Sequence, residues 1–402
     1  MRRATPWSVT VIAFVAFISL GAPDAVLGVA WPDIQLEFGL PSAGIGLILA
    51  SSATGYFLSS TFAGTVMRYI PLGWLLVIST GLVAVGLFGY SFVPFVPWFM
   101  ILAFGIGAGS GAIDTGLNAY ATEHFSATTM NWLHGFFGIG AMLGPFVMTA
   151  VLTSGASWQT GYVLVAGFVL LMAIIFVVFR RVWEEPAGRR EERHESSVSL
   201  MTALRQRSAV VQIAVFFVYC GVEVVAGQWG FTVLRDRFGA SEGMAGFWVG
   251  MYWGSIAAGR LLFGPLVDRV GARLIVRISL VATILGAAFY VVPLYEIAVA
   301  GLLVTGLGLA IVFPTLITLT SRRLPAPMVT HTVGFSVAAA VAGGAALPTL
   351  AGVLKGTTGT DAIPWLILVL AVGTFGLNEL LSNQASRADG TDTAVVALDP
   401  AD

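Results

Sequence analysis

The feature that most constrains this chain is a succession of apolar stretches, each about twenty residues long, separated by short polar breaks. A helix needs about 20 mostly apolar residues to cross a hydrocarbon core about 30 Å thick. Twelve stretches qualify, at roughly 7–30, 42–66, 72–93, 96–121, 128–152 and 158–180, and then roughly 209–234, 243–267, 272–293, 297–320, 328–354 and 362–383. Only 10% of the residues are charged, against about 25% in an ordinary soluble domain. The expected fold class is an all-α membrane protein of twelve transmembrane helices in two six-helix halves. The 48 glycines fit this reading, because helices in lipid pack closely through small residues. A net charge of -1 argues against a nucleic-acid partner. The single cysteine, Cys220, excludes an intramolecular disulfide.

The breaks carry turn chemistry, as in Trp31-Pro32-Asp33, Tyr69-Ile70-Pro71, Ser154-Gly155 and Val270-Gly271. Met1-Arg2-Arg3 before an apolar run resembles a signal peptide, but Trp7 to Ala30 is too long for one and reads as an uncleaved first span. The organisation expected is an N-terminal half (1–180), a charged central loop (181–207), a C-terminal half (208–384) and a polar, disordered tail (385–402). Lys and Arg in loops set orientation. With the N-terminus inside, Arg235, Arg237 and Lys355 fall outside and Arg260 lies within a span, while the remaining sixteen of the 20 basic residues fall on the cytoplasmic side. Both termini and the central loop are therefore expected in the cytoplasm. The halves also echo each other: a shift of about two hundred positions lays Gly105 and Gly107 over Gly306 and Gly308, and Asp114 over Thr315. Two parallel six-span halves are a transporter architecture with its site at their interface near mid-membrane, though hydropathy alone also admits a twelve-span enzyme or scramblase.

Polar side chains inside spans are costly and mark candidate function. Span one holds Asp24 after Pro23 and Gly21, residues that weaken the local helix; broken helices line cavities, and the competing reading is an interfacial carboxylate. Span four carries Asp114 and Asn118 four apart, hence on one face, with Gly107 and Gly111 on the same stripe. A carboxylate in a low-dielectric site can take a proton from one side and release it when hydrated, which is what proton coupling requires; the alternative is a packing hydrogen bond. Span five opens with Asn131, Trp132 and His134, where His134 suits hydrogen bonding to a hydroxyl better than titration. In span seven Gln212, Tyr219 and Glu223 share a face, with Gln228 and Trp229 beyond them. Amide, carboxylate and aromatic ring together suit a polyhydroxylated ligand, or else a polar clamp between helices. Span eight adds Tyr252 and Trp253, which packing explains equally well. The four histidines have no metal-ligand spacing, and no phosphate-binding loop is present, so neither a metal nor ATP is expected.

Gly264-Pro-Leu-Val-Asp268-Arg269-Val-Gly271-Ala-Arg273 resembles the cytoplasmic loop motif of the major facilitator superfamily. The resemblance implies a gating role for Gly264, Asp268, Arg269 and Arg273. The copy after span two, Gly64 to Gly73, lacks the acidic residue. Within the superfamily the chain is similar to the fucose:proton symporter-like sugar transporters. Asp114-Thr115 with Asn118, Asn131 with His134 and Phe136, and Asp24 in span one carry that likeness. Tyr219 to Glu223 resembles a Tyr-x-Gly-x-Glu element of related glucose transporters. By this resemblance Asp24 and Asp114 handle the coupling ion, while Asn118, Asn131, His134, Tyr219, Glu223, Gln228, Trp229 and Trp253 line a sugar site. The expectation is a monomeric secondary transporter in the cell (inner) membrane that moves a monosaccharide with a proton. It has no cofactor, and sodium is the alternative coupling ion. A proton-driven exporter is the competing function, on the strength of Gly140-Ala-Met-Leu-Gly144-Pro145 in span five; a transport-derived sensor or membrane enzyme is a third.

Overall fold

The computed structural model describes residues 7–183, 206–264, 266–323 and 326–396, all of them helices joined by short turns. The charged central segment, 184–205, lies outside the described residues. The first half comprises α1 (Trp7–Gly21), α2 (Val26–Glu37), α3 (Ile45–Val66), α4 (Leu72–Tyr90), α5 (Val96–His124), α6 (Ala127–Thr153) and α7 (Trp158–Phe179). The second comprises α8 (Arg207–Phe238), α9 (Glu242–Phe263), the short α10 (Leu266–Val270), α11 (Ala272–Val291), α12 (Tyr295–Leu309), α13 (Val312–Arg323), α14 (Ala326–Thr358) and α15 (Ala362–Val396). Among the described residues, 11 helices are long and apolar enough to cross a membrane. Exposed side chains such as Val85, Leu170, Ile174, Val178, Leu285 and Val369 would be an aggregation liability in water; here they form the belt that faces lipid.

The boundaries follow local chemistry. Ser126 Oγ accepts the Thr129 backbone N–H at 3.2 Å and starts α6, and Ser241 Oγ accepts that of Met244 at 3.3 Å and starts α9. Gly239, at φ 65°, closes α8 in the left-handed region that other residues avoid. Two expected features differ. Trp31-Pro32-Asp33 is not a break: α2 runs through Pro32 to Glu37, because Trp31 and Ile34 are wholly buried and tertiary packing outweighs the one hydrogen bond that Pro32 forfeits. The interruption comes earlier, at Ala22–Ala25, where Gly21 and Pro23 weaken the helix. The last helix runs to Val396, into the segment that composition predicts to be a disordered tail; no proline lies beyond its first turn.

Small residues let the helices approach. A methyl group added at Gly55, Gly107 or Gly111 would overlap the backbone of the facing helix in the α3–α5 pair. Likewise Gly21, Gly140 and Gly144 bring α1 and α6 together, which gives the Gly140 to Gly144 stretch a packing role. α6 and α9 form an antiparallel seam in which the glycines come first from α6 and then from α9. Gly135 faces Leu261, Gly138 faces Ala257, Gly254 faces Met142, Gly250 faces Phe146 and Gly246 faces Thr149. The other main contacts between halves lie toward the end of the bundle remote from the chain's N-terminus. There Gly46 meets Thr349, Gly352 meets Ala43, and Gly28 meets the backbone of Gln228. At the near end Gly64 and Gly334 face open space. Among the described residues, the close glycine contacts between the two sides lie along the α6–α9 seam and at the remote end. Arg235, Arg237 and Lys355 all sit at the remote end, paired with Glu242 (3.3 Å), Asp361 (2.7 Å) and Asp236 (3.3 Å).

Glycine packing of this kind has a measurable signature. Gly107→Ala, which drives a methyl group into the Ser52 carbonyl, is expected to lower unfolding stability in detergent by about 1–3 kcal/mol. Gly167→Ala, where nothing lies within 4 Å, should stay within about 0.5 kcal/mol of the parent. Equal unfolding midpoints for the two variants would remove the packing account.

Candidate substrate and ion site

Two polar clusters stand out, one among the helices before the central segment and one among those after it. The first belongs to the N-terminal half. Asp114 on α5 accepts the Tyr56 hydroxyl through Oδ2 at 2.6 Å and the Asn118 side-chain amide through Oδ1 at 2.8 Å. Tyr56 comes from α3, and its reach depends on Gly111, whose missing side chain lets α3 lie against α5. Ser60 adds a hydrogen bond from α3 to the Gly111 carbonyl at 3.3 Å. Asn118 Oδ1 is buried and has no hydrogen-bond partner. Asp24, in the turn between α1 and α2, is exposed although it lies deep in the bundle. It is close enough to Asp114 and Tyr56 for the charges to act on one another. A small cavity of about 80 Å³ adjoins it, lined by Ser52, Tyr90 and Tyr162 among others.

The second cluster joins three helices of the C-terminal half. Glu223 on α8 accepts the Tyr219 hydroxyl through Oε2 at 2.6 Å. Its Oε1 faces Arg260 Nη2 on α9 at 3.6 Å, and both side chains are 13% exposed. Tyr252 donates to the Glu223 carbonyl at 2.9 Å. Arg260 Nε donates to the Ala310 carbonyl at 3.2 Å, and the Tyr219 hydroxyl lies 3.1 Å from the Leu309 carbonyl. Both carbonyls belong to the interruption between α12 and α13; Arg260 caps the Ala310 oxygen, while the Tyr219 hydroxyl, whose one proton serves either Glu223 or Leu309, is shared between the two acceptors.

The remaining predicted residues divide by position. His134 is edge-on to Phe17, with ring centroids 5.6 Å apart, and lies within electrostatic reach of Arg260. Gln228 donates to the Asp24 carbonyl at 2.8 Å, which ties α8 to the first-span break, and leaves its own Oε1 unpartnered. Trp229 is wholly buried and donates to the Pro348 carbonyl at 2.9 Å. Trp253 is packed over Gly227 with an unpartnered Nε1. Gly264 ends α9, and the exposed Arg269 and Arg273 flank the turn at Gly271, φ 93°. The side chains of Asn131 and Asp268 lie outside the described residues.

Sequence reasoning gave no role to Tyr56 or Arg260. Tyr56 carries no local signal beyond its place in a serine-rich stretch of span two. Arg260 had one, as the cation inside a span.

The chain matches the family model of the Major Facilitator Superfamily over residues 9–234 and 211–392. "Bypass of stop codon protein 6" of Saccharomyces cerevisiae is 22% identical over 90% of this chain and 80% of its own length. "Sodium-dependent glucose transporter 1A" of Mus musculus is 22% identical over 61% of this chain and 66% of its own length. Among solved structures, the nucleoside transporter NupG superposes with a TM-score of 0.71 at 15% identity, covering 94% of this chain and 98% of that one. The transporter FucP in the outward conformation gives 0.66 at 17% identity, covering 95% and 99%. The apolar helices and the family model agree: the chain is a multi-pass membrane transporter belonging to the Major Facilitator Superfamily.

Proposed function

We propose that this transporter carries a monosaccharide together with a proton by alternating access. The observation that carries the reading is the Tyr56–Asp114–Asn118 triad at mid-span. In its charged form Asp114 accepts from both neighbours at once. A proton arriving on it removes one acceptor, which loosens the Asn118 amide. Asn118 presents the unpartnered Oδ1, so protonation and the ability to bind a substrate hydroxyl are linked through one side chain. Asp24 lies near enough to share the charge. The resemblance of Asp114, Thr115 and Asn118 to the sugar symporters supports the substrate class, as do the names of the mouse relative and FucP. NupG's name puts nucleosides, which contain a sugar ring, among the compounds to be tested.

In this reading α9, span eight of the sequence, joins the 11 apolar helices to make twelve, since it packs against α6 along its whole length. The sixteen-to-three distribution of basic residues supports cytoplasmic termini, and we take the cell (inner) membrane as the protein's location. The end where Gly64 and Gly334 face open space is then the cytoplasmic one, and the state read here is inward-open. Gly264, Asp268, Arg269 and Arg273 form a cytoplasmic gate in the opposite state, and the working unit is a monomer.

Purified protein in liposomes should accumulate at least one monosaccharide when the outside is acidified. Uptake driven only by a sodium gradient would replace the proton with sodium; a panel of sugars and nucleosides in which only nucleosides move would replace the substrate class. Asp114→Asn is expected to abolish gradient-driven accumulation while sparing exchange of labelled for unlabelled substrate, and unchanged accumulation would remove Asp114 from the coupling role. Orientation is read separately, in a Cys220→Ser background. An impermeant maleimide should label Ser157→Cys in intact cells and Tyr69→Cys only after permeabilisation; the reverse pattern would invert the topology.

A further inference from the structure

The Glu223–Arg260 pair is built in an unusual way for two opposite charges. An ionised hydrogen bond of this type closes to about 2.7–2.9 Å, yet Glu223 Oε1 and Arg260 Nη2 stand 3.6 Å apart. Each group is held back by a neutral partner. Tyr219 anchors Glu223 through the other carboxylate oxygen, and the Ala310 carbonyl anchors Arg260 through Nε. The facing edges, an acceptor and a donor, remain partly open, each side chain being 13% exposed, and Arg260 lies within electrostatic reach of His134. A hydroxyl is the group that fits such a gap, because it donates to the carboxylate and accepts from the guanidinium at the same time.

We propose that Glu223 and Arg260 form a clamp for one substrate hydroxyl, which makes Arg260 a specificity-determining residue. The inference rests on the sugar reading above and narrows it to a neutral polyhydroxylated substrate. The two charges already balance each other, so a carboxylate placed in the clamp would face Glu223 and an amine would face Arg260. Uronates and amino sugars bearing their charge at that ring position are therefore excluded.

The test measures dissociation constants of D-glucose, D-galactose, L-fucose and their mono-deoxy derivatives for purified wild-type protein and two variants. Loss of a hydroxyl bonded to charged groups is expected to weaken wild-type binding about 10- to 100-fold at one ring position. In the Glu223→Gln/Arg260→Met double variant, which leaves no unpaired buried charge, that penalty should fall to within about twofold while the penalties at the other positions persist. Arg260→Lys keeps the charge but not the planar fork, and should reduce the same penalty alone. It carries the test if the double variant does not fold. A wild type that discriminates between deoxy sugars with a profile unchanged by either variant overturns the clamp and leaves the sugar reading standing. A wild type that binds none of the sugars overturns both.

Discussion

The site exists because two helices come closer than side chains normally allow. Gly107 and Gly111 remove the atoms that would hold α3 away from α5, and only at that separation does the Tyr56 hydroxyl reach Asp114 at 2.6 Å. A carboxylate within a bilayer is tolerated only where donors meet it. Close packing and charge stabilisation are thus one constraint here. The glycines serve the chemistry indirectly, by deciding which neighbours the carboxylate can have.

A related economy appears at the two interrupted spans. Each interruption frees backbone carbonyls that hydrocarbon cannot satisfy. The Asp24 carbonyl takes the Gln228 amide from the opposite half, while the Leu309 and Ala310 carbonyls meet Tyr219 and Arg260. The same side chains lie at or beside the proposed site. Movement of Glu223 or Arg260 is consequently transmitted to the joint between α12 and α13, and movement of Gln228 to the joint between α1 and α2.

Most of the fold was legible in the sequence, because a membrane span is announced by its own length and hydropathy. Most helices begin and end within a few residues of the apolar stretches, the last one, which runs on to Val396, excepted, and Asp114 and Asn118 do share a face and a hydrogen bond. What could not be read were contacts between spans. Tyr56 looks ordinary in sequence and acquires meaning only when α3 is laid on α5. Arg260 stood out as a cation in a span, but its partner, Glu223, lies on another helix. Pro32 misled for a similar reason: a local rule for helix termination ignored the burial of Trp31 and Ile34. Gln228, expected to line a sugar site, also bonds to the first span, and its partner there is the Asp24 backbone, which no side-chain pattern could have named.

The α6–α9 seam has a mechanical consequence. Its rungs, from Gly135 with Leu261 to Gly246 with Thr149, set glycine backbone against side chains, and the attraction between such surfaces is dispersion, which has no preferred direction. A joint of this kind behaves as a dry bearing. A small turn of α6 against α9 would break no hydrogen bond among these rungs, so the seam itself offers little directional resistance.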